Sequence, residues 1–229
     1  VLDRLRKARE GDWVFYVDAD IYIYTDLVRC LNLEGKDIVL VPHYHHWWNS
    51  QRLKKYGEFN VGIVGFRCTD VGRSSAELWA SLVKQWCYDR VEGQKYADQR
   101  YLESISEFVE KEGEVQFAPK NYQFAPWNSC FLTVTDDNDA LKTKKGQLIH
   151  IFHFQGLRKV GGNWNLGHLP YLGLATKSLR EHIYRPYVRR IKEIESTLEF
   201  SSPRVSRRSR LQIFHHSVGA LFGQRIKDK

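Results

Sequence analysis

Two aspartates one residue apart, Asp18 and Asp20, close an aromatic and aliphatic run that begins at Trp13. Carboxylates this close repel each other, so the pair reads either as an acidic turn after a strand or as a site with a compensating cation. Oxygen ligands of this kind suit Mg2+ or Mn2+, ions usually shared with the phosphates of a substrate. A second stretch with chemistry in it is His43-Tyr44-His45-His46-Trp47-Trp48-Asn49. No Cys or carboxylate pair stands at zinc spacing to these histidines, which argues against zinc. A mobile, aromatic-bearing loop is the better reading. The four cysteines include no Cys-x-x-Cys pair and read as small buried hydrophobes in a reducing compartment.

The elements that must position these residues follow from spacing. Trp13-Val14-Phe15-Tyr16-Val17 has the pattern of a strand buried on both faces of a sheet. Ligands of open α/β sheets gather beyond the carboxyl ends of the strands, where Asp18 and Asp20 stand. Further strands are expected at residues 37–41, 60–66, 115–118, 130–134 and 147–151. Gly62 and Gly65 in the second of these admit a close backbone or ligand. Helices are expected near the start (1–10), at 26–31, from Ser74 or Ser75 to about Tyr88, at 98–108, and over 174–200 with an interruption at Pro186. Asp98 and Gln99 would then lie at a helix N-terminus, whose partial positive charge suits a carboxylate. Residues 136–145 read as a hairpin tip. Residues 156–173, with five glycines and Pro170, read as a loop.

A chain of 229 residues can bury the core of one α/β domain. It has no apolar run of membrane-spanning length and no signal-peptide pattern at its start, so a cytoplasmic protein is expected. The net charge of +8 is unevenly placed: 15 Lys and Arg stand against 5 Asp and Glu from Arg158 onward. No nucleic-acid-reading motif accompanies that excess, so nucleic acid is not an expected partner. Within 207–227, Leu211, Phe214, Val218, Leu221 and Phe222 fall on one helical stripe, and basic residues cluster at both ends. That pattern predicts a helix lying on an anionic membrane surface, peripheral on its inner face. Residues 1–200 are expected to form the main domain. Residues 201–229 form a basic amphipathic tail beyond Ser201-Ser202-Pro203.

With its strand, Asp18-Ala19-Asp20 resembles the Asp-x-Asp motif of glycosyltransferases of the GT-A fold. Phe59-Asn60-Val61-Gly62-Ile63-Val64-Gly65-Phe66-Arg67 and Tyr96-Ala97-Asp98-Gln99-Arg100-Tyr101-Leu102 continue the likeness in order. Ala125-Pro126-Trp127-Asn128 and Phe152-His153-Phe154-Gln155-Gly156-Leu157-Arg158-Lys159 complete it. The order, over about residues 10 to 190, is similar to glycosyltransferase family 8, the glycogenin and lipopolysaccharide galactosyltransferase group. It is closer still to an uncharacterised bacterial branch of nucleotide-diphospho-sugar transferases.

The resemblance implies an α/β GT-A fold with a mixed, mainly parallel sheet flanked by helices. It implies metal-dependent transfer of a sugar, with retention, from a nucleotide-sugar donor to a glycan or lipid-linked acceptor, as in building cell-surface polysaccharide. Mn2+ or Mg2+ would be held by Asp18, Asp20 and His153, with Asp18 also reaching the ribose and His150 competing with His153. Gly156 would let the backbone approach the diphosphate, and Lys159 would neutralise it. Asn60, Gly62, Asp98 and Gln99 would hold the donor, with Gln99 nearest the reacting carbon. Trp127 and Asn128 would meet the acceptor. Val160-Gly161 replaces the Pro-Trp that follows this lysine in the family. In the resembled enzymes a nucleoside-binding βαβ half comes first. With one short helix before the first strand and no Met, this chain is expected to be truncated at its N-terminus. A nucleotidyltransferase, a non-catalytic binding module and an inactive fragment are the alternatives.

Overall fold

The first helix, α1 (Leu2–Lys7), leads into β1 (Trp13–Val17) and then, past the two aspartates, into β2 (Ile21–Ile23). This computed structural model describes residues 1–137, 140–160, 162–198 and 223–227. They form two units of a mixed α/β protein. The first comprises Val1–Ile21 and Thr25–Gln123, the second Tyr22–Tyr24 and the described residues from Phe124 onward. The expected boundary at residue 200 lies outside the described residues.

In the first unit, β3 (Ile38–Pro42), α2 (Gln51–Tyr56), β4 (Phe59–Arg67), α3 (Asp70–Gln85), α4 (Tyr101–Glu112) and β5 (Val115–Phe117) follow β1. The sheet order is β1-β4-β3-β5. β4 runs antiparallel to β1 and β3, and β5 runs parallel to β3. Three strands therefore share a direction, but β4 between them makes two of the three neighbouring pairs antiparallel, which corrects the mainly parallel expectation. β1 is an edge strand and only half-buried throughout, not buried on both faces. β3, paired on both sides, is buried from Ile38 to Val41. Leu102, Ile105 and Val109 on α4 pack with Ala76 and Trp79 of α3 over Ile38, Leu40, Val64 and Phe66. Each fully buried Leu, Ile, Val or Phe among them contributes about 1.5–3 kcal/mol.

Helix boundaries moved where capping was misread. α3 begins at Asp70, because Thr69 accepts the Gly72 N–H as its cap. Ser75, expected as a cap, lies inside the helix and donates to the Val71 carbonyl. Residues 26–31 form turns instead of a helix: Asp26 Oδ1 takes the Val28 N–H at 3.0 Å, a local bond that competes with helix formation. α4 starts at Tyr101, so Asp98 and Gln99 sit in the turn before it, not at its first residues.

The second unit holds β6 (Gln123–Phe124, crossing from the first), β7 (Val134–Asp137), β8 (Ala140–Thr143), β9 (Ile151–His153), β10 (Arg158–Val160), β11 (Asn163–Asn165) and β12 (Arg225–Lys227). Its sheets run β2-β9-β6 and β10-β11-β12, with β7 and β8 as a hairpin. The strands expected at 130–134 and 147–151 are displaced to β7 and β9. The glycine-rich stretch is not a plain loop, because β10 and β11 pair within it as a hairpin that carries the buried Trp164. α5 (Lys177–Leu179), a π-helical turn at Arg180–Tyr184 and α6 (Arg185–Thr197) pack Leu179, Ile183, Tyr184 and Val188 onto Phe152 and Phe154. The helix expected over 207–227 lies largely outside the described residues. Its end is strand: Ile226 pairs with Trp164 and is buried beside it, a burial that a solvent-facing helix would forgo. No described helix is long and apolar enough to cross a membrane.

Candidate functional site

Strand direction gathers polar residues at one end of the first unit's sheet. With β4 antiparallel to its neighbours, the carboxyl ends of β1, β3 and β5 lie beside the amino end of β4. Asp18 follows β1 directly, and its amide donates to the Gly62 carbonyl at 2.8 Å. Tyr16, on the same face of β1, donates from its hydroxyl to Asp18 Oδ1 at 2.7 Å. Burial, that hydrogen bond and the charges of Asp18, Asp98 and Asp20 raise the Tyr16 phenol. Asp98 is also raised, first by burial and further by Asp18, against the lowering effect of a backbone hydrogen bond. Three carboxylates thus share one electrostatic neighbourhood around Tyr16. A cavity of about 410 Å³ opens beside Tyr16 and Asp98, walled by Trp79, Val83 and Leu2.

Behind Gly62 sits a buried amide network. Asn60, 2% exposed, accepts from the Gly62 N–H at 3.1 Å and from Gln123 Nε2 at 3.0 Å. Its own Nδ2 donates to Gln99 Oε1 at 3.4 Å, and Gln99 Nε2 donates to the Tyr56 carbonyl at 2.7 Å. Asn60, Gly62 and Gln99 are therefore brought together. The Gln99 amide bridges Asn60 to the end of α2.

The second unit supplies the late motif. His153 ends β9 and is 2% exposed, with Trp127 edge-on to its ring at 5.4 Å and 80°. Trp127 is itself 1% exposed and also meets Tyr171. It walls the imidazole and leaves no open face for a sugar, contrary to the expected acceptor contact. Asn128 Oδ1 accepts the Ala125 N–H at 2.8 Å, closing the turn that carries Trp127. Gly156 adopts φ 78° and stacks its backbone on Gly167, where a Cβ would come within 2.6 Å of the Gln155 carbonyl. Lys159 is exposed on β10 with its ammonium 5.8 Å from the centre of the Trp164 ring. His150, the competing histidine, is also buried and uses its carbonyl to accept the Tyr24 N–H. β2, which begins directly after Asp20, lies beside β9, which ends at His153.

The donor set fits a divalent cation. Asp18 and Asp20 are half-buried, His153 is buried, and each offers one ligand atom.

No family model matches the chain. It is 23% identical over 161 residues to the uncharacterized protein YfnF of Bacillus subtilis (strain 168), covering 67% of this chain and 52% of that protein. The chain thus spans about half the length of the curated relative it matches.

Sequence reasoning missed three contributors. Tyr16 was detectable, because residues two apart on a strand share a face. Gln123 and the Tyr56 carbonyl carried no local signal, being separated from their partners by 63 and 43 residues.

Proposed function

We propose that this protein is a metal-dependent glycosyltransferase that moves a sugar from a nucleotide-diphosphate donor to a glycan or lipid-linked acceptor. The observation that carries this reading is the acidic end of β1. There Asp18 is pinned to Gly62, oriented by Tyr16, and accompanied by Asp20 and Asp98. A soluble domain gains no stability from such a concentration of charge, whereas a cation-diphosphate site needs it. Asp18, Asp20 and His153 would hold Mn2+ or Mg2+. When bound, the ion supplies positive charge against the diphosphate leaving group.

The chain's own residues do the rest. Lys159 adds a second positive charge for the phosphates, and Gly156 lets the backbone approach them. Asp98 and the Asn60–Gln99 pair orient the donor sugar, and Trp127 fixes the ring plane of His153. Retention at the anomeric carbon and work at the cytoplasmic face of a membrane belong to the same reading.

The test is release of nucleoside diphosphate from UDP-glucose, UDP-galactose and GDP-mannose, with and without Mn2+. Turnover of at least one donor is expected only with the metal, and Asp20→Asn should abolish it while the protein stays folded. Full turnover in EDTA, or an unaffected Asp20→Asn variant, overturns the proposal.

A further inference from the structure

The chain between β3 and β4 leaves the sheet for residues 43–58 and carries the His- and Trp-rich stretch. It is tied down at several points rather than loose. The His43 N–H donates to the Glu58 carbonyl, the Tyr44 hydroxyl to the Ala118 carbonyl, and the Asn49 N–H to the His46 carbonyl, all at 2.8–2.9 Å. Its aromatic rings are layered. His43 stacks on His45 at 4.9 Å, and His46 stacks on Trp48 at 4.3 Å, both with rings 7° apart. Trp47 stands edge-on against Trp48 at 5.7 Å and 86°, and is 82% exposed. The side chain with most to gain from burial is thus held in solvent by a rigid scaffold of its neighbours.

We propose that the Trp47 indole is a stacking platform for a pyranose ring of the acceptor glycan. The word acceptor rests on the transferase reading, while the sugar binding stands without it. An indole face is electron-rich and packs against the apolar C–H face of a sugar. The sugar's hydroxyl rim needs polar partners, and Ser50 and Gln51, three and four residues further on, are both exposed. A lipid surface would ask for a broader apolar face, yet Trp47 is the one large exposed hydrophobic side chain described within 43–58. The position suits an acceptor. Within the excursion α2 ends at Tyr56, whose carbonyl is held by Gln99, and β4 then delivers Asn60.

The experiment uses the full chain labelled with 15N at tryptophan, titrated with maltotetraose, cellotetraose and chitotetraose. Indole signals are assigned by their loss in Trp47→Phe and Trp48→Phe. At least one tetrasaccharide should shift the Trp47 indole saturably, and Trp47→Ala should weaken that binding at least tenfold without lowering the melting temperature. Three outcomes each overturn the proposal: no shift from any of the three sugars, equal binding by Trp47→Ala, or a shift with anionic vesicles alone. Metal-dependent donor hydrolysis by the unmodified protein reports separately on the transferase reading. Its absence alongside sugar binding would remove the word acceptor and leave the platform.

Discussion

The Tyr16 hydroxyl donates to Asp18 Oδ1 at 2.7 Å, two residues along the same strand. The carboxylate is thereby aimed before any ligand arrives, as residues behind a metal ligand commonly do. Tyr16→Phe keeps the ring and removes the donor. It should weaken Mn2+ binding about 10- to 100-fold by calorimetric titration. The melting temperature should change little, because the phenol is only half-buried. Unchanged affinity would reduce Tyr16 to a packing residue.

Asn60→Ala should be a stability variant as much as an activity variant. It removes the acceptor for the Gly62 N–H and for Gln123 Nε2 in a buried setting. Each such loss costs about 1–3 kcal/mol, so a clear drop in denaturant midpoint is expected. A midpoint equal to that of the unmodified protein would mean that water or rearrangement replaces the amide.

Acid stability should depend on His168. Burial lowers its pKa to about 3. Its Nε2–H faces the Tyr184 hydroxyl, which donates onward to the Leu166 carbonyl. With the folded value below the unfolded value of about 6.5, stability is fully present above pH 6.5. It is lost as pH falls from there toward 3, at up to about 1.4 kcal/mol per pH unit. Urea midpoints measured from pH 7 to 4 should show that slope, and His168→Gln should flatten it. An unchanged slope in the variant would assign the acid sensitivity elsewhere.

Gly65 and Phe15 face each other across the β1–β4 pair, and a Cβ on Gly65 would come within 2.6 Å of the Phe15 ring. Gly65→Ala should destabilise by about 1–3 kcal/mol through overpacking. Adding Phe15→Leu should recover part of that loss, a coupling that a double-mutant cycle reads directly. Additive effects would show that the ring simply swings aside.

Local pattern alone determined a good deal. β1 and its terminal aspartates, the strands near residues 38, 60 and 115, and the apolar stripes of α3 and α4 are written in side-chain periodicity, which neighbours in sequence decide. Pro186, inside the first turn of α6, marked the restart after the π-helical turn. Other features depended on partners distant in sequence. β1 is half-buried rather than buried because it has only β4 beside it, a fact of strand order that no single strand encodes. Glycines 156 and 167 read as loop formers, but the hairpin they bracket exists because Trp164 finds Ile226 more than sixty residues later. The resemblance cast Trp127 as an acceptor contact, and tertiary packing against His153 and Tyr171 buried it. The amide network of Asn60, Gln99 and Gln123 joins side chains 39 and 63 residues apart. Residue type could nominate those groups, but only the folded sheet end could bring them within hydrogen-bonding reach, because such bonds are short and have no sequence period.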